Sequence, residues 1–497
     1  MQLTGRVFLV LLALCWACAW ASLGVQVVGL FGAHGVAPAT ALMDAARRAL
    51  GDAGPWRLPT LFWWVAPTDR VLVGTCAAGV LLALAVAVGV APRAALVASW
   101  VLYLSMLAVG EPFLSFQWDA LLCETTLVAI FLAPPGLRPF ASGPGLPADA
   151  AGPRAIGAAP VWLGRWLLFR LMLLSGVVKL LAEPAGMPGP RPWHDLTALG
   201  WHWWTQPLPT PLAWWAAQLP ATLQKAACAA MFAIELAGPC TLFAPRPVRR
   251  AGVAALLLLQ ALIALTGNYG FFNLLTVTLC VLGLDDDLLL RVPLVRRLAP
   301  RADPAPPAPW RRAAFAPVAA ALVALSLVPS LARVGMAALL PPPLVAAWRA
   351  VAPLESINAY GLFARMTTER DEVILEGSDD GRTWREYEFR WKPGDPDRSW
   401  PRWVAPHMPR LDWQMWFAAL SRVERQPWVE ALMQRLLEGE PTVLALLGTN
   451  PFPDHPPRLV RATRWSYRFS TPEERAATGR VWERTRIGPY APARSAS

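Results

Sequence analysis

The sequence predicts a multi-pass α-helical membrane bundle of about nine spans, followed by an exported α+β or β-sandwich-like C-terminal domain. Hydrophobic residues make up 55% of the 497 residues and charged residues only 16%. The apolar runs lie in the first two thirds of the chain, whereas the last third is charged and aromatic. One run of 34 residues, 251–284, contains no charged side chain. These three observations exclude a simple soluble enzyme and indicate two regions of different composition.

Nine apolar segments have the length and composition expected of membrane spans. They lie at residues 7–23, 71–91, 94–110, 116–133, 162–182, 225–243, 251–266, 271–284 and 313–335. We expect residues 1–335 to form a polytopic domain, residues 336–354 a connector and residues 355–497 a soluble extracytoplasmic domain. Residues 302–309 are rich in proline and predict a linker before the last span. We interpret the first segment as an uncleaved anchor, although Ala19-Trp20-Ala21 resembles a signal-peptide cleavage site.

The uncharged run at residues 251–284 is too long for one straight span. As a helix it would rise about 51 Å, well beyond a hydrocarbon core of about 30 Å. The string Gly267-Asn268-Tyr269-Gly270 predicts the break, because glycine tolerates positive φ and asparagine bonds its own backbone locally. Two interpretations are considered: a tight hairpin between spans, or a re-entrant functional element that includes Asn268, Tyr269 and Asn273. We expect a hairpin whose turn lies on the outer face and helps to shape the surface on which the exported domain rests.

Arginine supplies nearly all of the net charge of +11, since the chain has only three lysines. With the amino terminus inside, most arginines of the membrane region fall on inner loops, as the positive-inside rule requires. This topology places the region after residue 335 outside, in the periplasm of a bacterium or the lumen of the endoplasmic reticulum. The bias toward arginine and alanine indicates a GC-rich bacterial genome. Nucleic-acid binding is not predicted, because the arginines are scattered rather than concentrated on one stripe.

Charged side chains inside the predicted spans are informative because each is unfavourable there unless paired or hydrated. The intramembrane polar candidates in the fourth to sixth spans are Gln117, Asp119, Glu124, Arg170, Lys179 and Glu235. One interpretation is a set of interhelical ion pairs, with Asp119 or Glu124 bound to Lys179 or Arg170. The other is a polar cavity for a substrate or a proton.

The outer loop at residues 183–224 is dense in tryptophan, with Trp203 and Trp204 near its centre. Tryptophan is enriched at the headgroup level of membranes, so we interpret this loop as lying on the outer leaflet. Binding of an apolar or amphipathic partner is the alternative.

Cysteine and histidine show no pattern typical of a redox or metal site. All seven cysteines lie in or at the end of apolar segments, which disfavours thiol chemistry. The five histidines lack the spacing of metal ligands. No catalytic constellation emerges in the last third either. We therefore predict no metal, no cofactor and no enzymatic activity.

The last third of the chain predicts strands and helices. Residues 371–377 read as a strand that ends in a turn at residues 378–381, and the alternating aromatics that follow complete a hairpin. Residues 411–438 have helical spacing with a break at Pro427. Aromatic residues alternate again around residues 465–469, which predicts a further strand.

A stripe of aromatic residues marks the start of the predicted helix. Asp412 is a natural N-cap, and Trp413, Trp416 and Phe417 then share one helical face. Such a stripe is either part of a core or a rigid surface for a protein client. The candidate client-binding residues are Asp412, Trp413, Gln414, Trp416, Phe417, Trp203 and Trp204.

Several long strings in the chain resemble, in order, the successive blocks of the lipase maturation factor family. They are SFQWDALLCETTLVAIFLAP, LTALGWHWWTQPLPTPLAWW, LTGNYGFFNLLTVTLC, INAYGLFARMTTER, EGSDDGRTW, PHMPRLDWQMWFAAL and NPFPDHPPRLVRA. The resemblance covers nearly the whole chain. It implies a multi-pass protein of the endoplasmic reticulum membrane in animals, whose lumenal C-terminal domain assists folding and assembly of dimeric secreted lipases.

For a bacterial member the resemblance implies an inner-membrane folding factor, chaperone-like, whose partners are the lipid bilayer and a secreted client protein such as a lipase. The family has no established catalytic residues to carry over. The competing hypothesis is an intramembrane enzyme or transporter with a polar cavity. That cavity would be lined by Asp119, Glu124, Arg170, Lys179 and Glu235.

Overall fold

A computed structural model describes residues 2–140, 157–182, 190–299 and 309–495. Nearly all of the predicted linker at residues 302–309 lies outside these ranges. The membrane region and the connector are helical. Their helices are α1 (Gln2–Gly24), α2 (Val27–Phe31), α3 (Ala39–Leu50), α4 (Gly54–Arg57), α5 (Asp69–Val88), α6 (Pro92–Val109), α7 (Gln117–Leu132), α8 (Ala158–Leu181), α9 (Ala198–Thr205), α10 (Pro211–Ala217), α11 (Ala221–Ala237), α12 (Arg246–Thr266), α13 (Phe272–Val281), α14 (Asp286–Leu289), α15 (Pro293–Arg296), α16 (Pro309–Arg333) and α17 (Pro342–Val351).

Each of the nine predicted spans overlaps one of these helices, namely α1, α5, α6, α7, α8, α11, α12, α13 and α16. Seven helices in the described ranges are long and apolar enough to cross a membrane. The other two are shorter, with 16 residues in α7 and 10 in α13. The chain is therefore an integral, multi-pass membrane protein, and seven of the nine predicted spans are full-length candidates within the described residues.

Helix α1 lies inside the bundle, where two of its tryptophans form hydrogen bonds with neighbouring helices. Trp16 and Trp20 are fully buried. The Nε1 of Trp16 donates to Thr126 Oγ1 at 3.0 Å, and that of Trp20 donates to Ser99 Oγ at 3.1 Å. The ring of Tyr103 packs edge-on against both indoles at 5.0 Å between centroids. The indole N–H groups thus find partners within the bundle, as groups removed from water must.

Helices α12 and α13 are the two arms of the interrupted apolar run. The turn between them contains Gly270, whose positive φ of 57° is the conformation that glycine adopts most readily. Below the turn, Asn273 Nδ2 donates to Gln260 Oε1 at 2.9 Å and joins the two arms. The run therefore folds back at the predicted place.

The C-terminal domain is α+β. Its elements are the helices α18 (Arg410–Ala419), α19 (Pro427–Leu437), α20 (Pro441–Leu444) and α21 (Pro472–Thr478), and the strands β1 (Arg370–Ser378), β2 (Arg385–Glu386), β3 (Glu388–Phe389), β4 (Leu447–Thr449), β5 (Leu459–Phe469) and β6 (Trp482–Ser495). Four strands form an antiparallel sheet in the order β2-β1-β5-β6, and β3 pairs with β4. Helices α18 and α19 pack against β1 and β5.

The sequence pattern predicts the positions of β1, α18 and α19 in the chain. Strand β1 covers the predicted strand at residues 371–377, and its register with β5 runs from Arg370 opposite Tyr467 to Ser378 opposite Leu459. The predicted helical stretch at residues 411–438 divides into α18 and α19, and Pro427 opens α19, where a missing N–H is harmless.

A glycine pair on α5 tests the packing of this helix against α1. A Cβ atom at Gly79 would lie 2.2 Å from the indole of Trp20, whereas one at Gly74 would meet nothing within 4 Å. We expect Gly79→Ala to destabilise the protein by about 1–3 kcal/mol, because the indole is held in place and cannot yield freely. Thermal melting of the purified protein in detergent measures this. The matched variant Gly74→Ala should melt like the parent, and equal melting of the two variants would contradict the packing.

Candidate functional site: the interface between bundle and C-terminal domain

Two of the three embedded acids pair with cations of the neighbouring spans. Glu124 on α7 binds Arg170 on α8, and both side chains are buried. Glu235 on α11 binds Lys179 on α8 at 2.7 Å between Oε2 and Nζ. The ion-pair interpretation is confirmed for Glu124 with Arg170, while Lys179 binds Glu235 rather than either acid of α7.

The third acid, Asp119, pairs with a residue of the C-terminal domain. Arg410 donates from Nη1 to Asp119 Oδ2 at 2.9 Å and from Nη2 to Oδ1 at 2.8 Å. Arg410 also donates to the carbonyl oxygen of Phe113 at 2.8 Å, and Tyr103 donates its hydroxyl hydrogen to Asp119. Asp119 is 0% and Arg410 1% exposed. A bidentate pair with further hydrogen bonds is the arrangement that makes such burial tolerable.

Other polar groups of α7 bind the backbone that leads into the domain. Glu124 Oε2 accepts from the backbone N–H of Asn358 at 3.0 Å and from the hydroxyl of Tyr360 at 2.6 Å. Gln117 Oε1 accepts from the backbone N–H of Gly361 at 3.0 Å. The polar face of α7 thus fixes residues 358–361 against the bundle.

The turn between α12 and α13 is a second docking point. Asn268 Oδ1 accepts from the backbone N–H groups of Val404 at 2.8 Å and Ala405 at 3.1 Å. Its Nδ2 donates to the carbonyl oxygens of Arg402 at 2.8 Å and Leu208 at 3.1 Å. All four hydrogen-bonding positions of the amide are filled, so this asparagine ties the hairpin, the Trp-rich loop and the domain together.

Tyr269, the next residue of the turn, faces the Trp-rich loop. Its hydroxyl donates to Gln206 Oε1 at 2.9 Å and lies 3.1 Å from His202 Nε2. Burial, together with the charge of Lys179, lowers the pKa of His202 to about 3. The imidazole is therefore neutral at physiological pH.

Helix α18 lies between the bundle and the sheet. The ring of Trp413 packs edge-on against Trp118 at 4.9 Å and against Tyr269 at 5.7 Å between centroids. The Nε1 of Trp416 donates to the carbonyl oxygen of Thr205 at 2.8 Å. Both indoles are buried, so the aromatic stripe serves mainly to join the domain to the bundle.

The remaining residues of the stripe differ in exposure. Asp412 is not the N-cap that we predict from the sequence, because α18 begins two residues earlier, at Arg410. Its Oδ1 instead accepts from the backbone N–H groups of Trp391 and Lys392, both at 2.9 Å. Burial raises the pKa of Asp412 to about 6, although these bonds oppose the shift. Gln414 is buried, whereas Phe417 is 38% exposed.

The Trp-rich loop contacts the C-terminal domain at its centre. Arg370, the first residue of β1, donates to the carbonyl oxygens of Trp204 at 2.8 Å, Pro207 at 2.9 Å and Gln206. The side chains of Trp203 and Trp204 pack against a cluster that Trp214 of α10 forms with aromatic residues of β5 and β6. Contact with this domain was not among the interpretations that the composition of the loop suggests.

Sequence reasoning also missed several residues of the interface. Gln26 Oε1 accepts from the backbone N–H of Arg410 at 2.9 Å, and Ser22 Oγ accepts from that of Met408 at 2.8 Å. No charge count points to Arg410, because the predicted spans contain enough bases, among them Arg165, Arg170 and Lys179, to pair with their three acids.

The cavity that the competing hypothesis requires is not favoured. Each of its five charged side chains is buried within an ion pair. In the part of the chain that the structure describes, no group of three or more histidine, cysteine, aspartate or glutamate residues could hold a metal ion. The arrangement is suited to holding two parts of the protein together.

The fold and this interface define a class: polytopic membrane proteins whose α+β C-terminal domain is bound to the helical bundle through buried polar contacts. The family model described as "Lipase maturation factor transmembrane domain" matches residues 3–291. That described as "Lipase maturation factor C-terminal domain" matches residues 356–492. The chain belongs to the lipase maturation factor family.

Individual relatives are similar over nearly the whole chain. Lipase maturation factor 2 of Homo sapiens is 36% identical, with 99% of this chain and 82% of the relative aligned. Lipase maturation factor 1 of Bos taurus is 33% identical, with 93% of this chain and 84% of the relative aligned. Lipase maturation factor 1 of Mus musculus is 31% identical, with 99% of this chain and 87% of the relative aligned. No solved structure matches the chain.

Breaking the pair of Asp119 and Arg410 tests the interface. Asp119→Asn leaves a buried guanidinium without its counter-charge, so we expect a loss of about 3–5 kcal/mol in the free energy of unfolding. The double variant Asp119→Leu with Arg410→Met should recover most of it, because no charge is then left unpaired. Thermal melting measures both.

The control for this series is Asp397→Asn, which breaks an exposed pair between Asp397 and Arg480. Its melting should equal that of the parent, since surface pairs contribute little. A double variant that melts no higher than Asp119→Asn would contradict the role of the buried charge.

The hairpin turn has its own test. Asn268→Leu removes the bonds to residues 402–405, so we expect faster tryptic cleavage after the exposed Arg402. Mass spectrometry of timed digests measures this rate. Asn273→Leu is the matched control, because the amide of Asn273 bonds only within the hairpin. Equal cleavage in both variants would argue against docking by Asn268.

Proposed function

We propose that this chain is a membrane-bound, non-enzymatic maturation factor that assists the folding or assembly of secreted proteins such as lipases. Membership of the lipase maturation factor family and the names of its relatives support this function. The observation that carries it is the interface. A buried ion pair, backbone contacts and tryptophan rings packed edge-on hold the domain in one position. A domain held rigidly on a membrane bundle presents a fixed surface, which is what a folding factor needs for binding a client.

We infer that the C-terminal domain faces the periplasm or the lumen. Arg246, Arg249 and Arg250 lie at the start of α12, around Asp285. The turn that binds the C-terminal domain follows the other end of this helix. Arginine clusters favour the cytoplasmic side, so the domain belongs on the opposite one. The division into residues 1–335, 336–354 and 355–497 remains a prediction.

The client-binding role of the aromatic stripe also remains a proposal, with one refinement. We assign Asp412, Trp413, Gln414, Trp416, Trp203 and Trp204 to positioning the domain. Phe417 and Leu420 are 38% and 46% exposed and lie three residues apart, on one side of the end of α18. Exposed apolar groups on a rigid helix are suited to contact a partly folded protein. We therefore propose these two as client contacts.

Secretion of a lipase by cells that contain or lack this protein tests the function. Activity of the exported lipase should depend on the protein, and unchanged activity in its absence would contradict the proposal. The double variant Phe417→Ser with Leu420→Ser should lower exported activity several-fold while the amount and melting of the membrane protein stay constant, because both side chains are on the surface.

The matched control for the client contacts is Ile487→Ser. Ile487 is 55% exposed on β6 and away from α18 in the sequence. Exported lipase activity with this variant should equal that with the parent. An equal loss of exported lipase activity with both variants would show that any exposed apolar residue has this effect. It would contradict a specific client contact at Phe417 and Leu420.

A further inference from the structure

A cavity of about 580 Å³ lies beside the interface, outside the ion pairs described above. Part of its apolar wall comes from the spans, with Leu104 and Leu107 on α6, Ala120 on α7 and Pro329 on α16. The rest comes from α3 and from the segments between helices. Trp348 of α17 closes the side toward the connector. The volume falls within the range of about 300–1,000 Å³ that is typical of small-molecule sites.

The position of the cavity indicates an aliphatic ligand. The lining residues that belong to spans lie near the ends of α6, α7 and α16, so the cavity lies at the edge of the hydrocarbon layer. Beside Ala120 the lining includes Asn358, whose Nδ2 donates to the carbonyl oxygen of Ala120 at 3.4 Å and whose backbone binds Glu124. The cavity therefore lies where the apolar layer gives way to the level at which the C-terminal domain begins. A molecule that is apolar at one end and polar at the other fits this gradient.

Three charged side chains define the polar end: Arg57, Glu111 and Glu355. Within the described residues none of the three forms an ion pair, although all line the same cavity. Burial, with the nearby charge of Glu111, raises the pKa of the Glu355 carboxyl. Two neighbouring carboxylates favour a cation between them, and the guanidinium favours an anion such as phosphate.

We propose that this cavity binds a zwitterionic phospholipid. Its acyl chain lies along α6 and α16, its ammonium group contacts Glu111 and Glu355, and its phosphate contacts Arg57. The proposal goes beyond the maturation function and does not rest on it. An apolar peptide segment would fill the wall equally well but would leave the charged groups without partners.

Binding of two lipids that differ only in the head group tests the proposal. The full-length protein, delipidated in detergent, is titrated with phosphatidylethanolamine or phosphatidylglycerol of identical chains, and bound lipid is counted by native mass spectrometry. We expect tighter binding of the ethanolamine lipid. Glu111→Gln with Glu355→Gln should weaken that binding by about tenfold, since charge-assisted hydrogen bonds are lost, and should leave the glycerol lipid less affected.

Two further variants make the outcome specific. Ala108→Phe fills the cavity and should weaken binding of both lipids. Glu424→Gln removes an exposed carboxylate outside the cavity and should change neither. Equal affinity for the two lipids, or a preference that survives loss of both glutamates, would overturn the proposal. If Ala108→Phe bound both lipids as tightly as the parent protein does, that result would overturn the proposal as well. Melting of each variant like the parent shows that folding is intact.

Discussion

The pairing of Asp119 with Arg410 is the constraint on which the rest of the structure depends. Both charges are almost wholly removed from water, and either one alone would be strongly unfavourable there. They are tolerable only when they meet in the bidentate geometry that the structure has. Because one lies on a span and the other at the start of α18, this requirement fixes the position of the C-terminal domain on the bundle.

The other polar groups of the membrane region reinforce that position. Gln117 and Glu124 bind the backbone of residues 358–361, and Asn268 binds that of residues 402–405. Polar residues in spans often indicate transport or catalysis. Here most of their bonding capacity is directed to the docked domain. Backbone contacts also place few demands on the side chains of the bound segments, so the bundle acts as a template for their path rather than for their sequence.

Local patterns in the sequence predict much of this architecture, since hydropathy locates the spans, glycine and asparagine locate the hairpin, and alternation locates β1 and β5. The interface could not be predicted in the same way. Arg410 lies 291 residues from Asp119, and no local pattern reports a contact at that separation. The aromatic stripe of α18 predicts that one face is buried, but not that the bundle covers it. Asp412 has the chemistry of an N-cap, yet tertiary contacts with the backbone of Trp391 and Lys392 determine its role.

One buried ion pair, that of Asp119 with Arg410, holds the C-terminal domain on the bundle. Double electron–electron resonance measures the distance between the domain and the bundle most directly. Spin labels are attached at the exposed positions Arg70 and Arg382, each replaced by cysteine in a Cys240→Ser background. We expect a single narrow distance distribution for the parent protein and a broad one for Asp119→Asn. An equally narrow distribution in both would contradict this role of the ion pair.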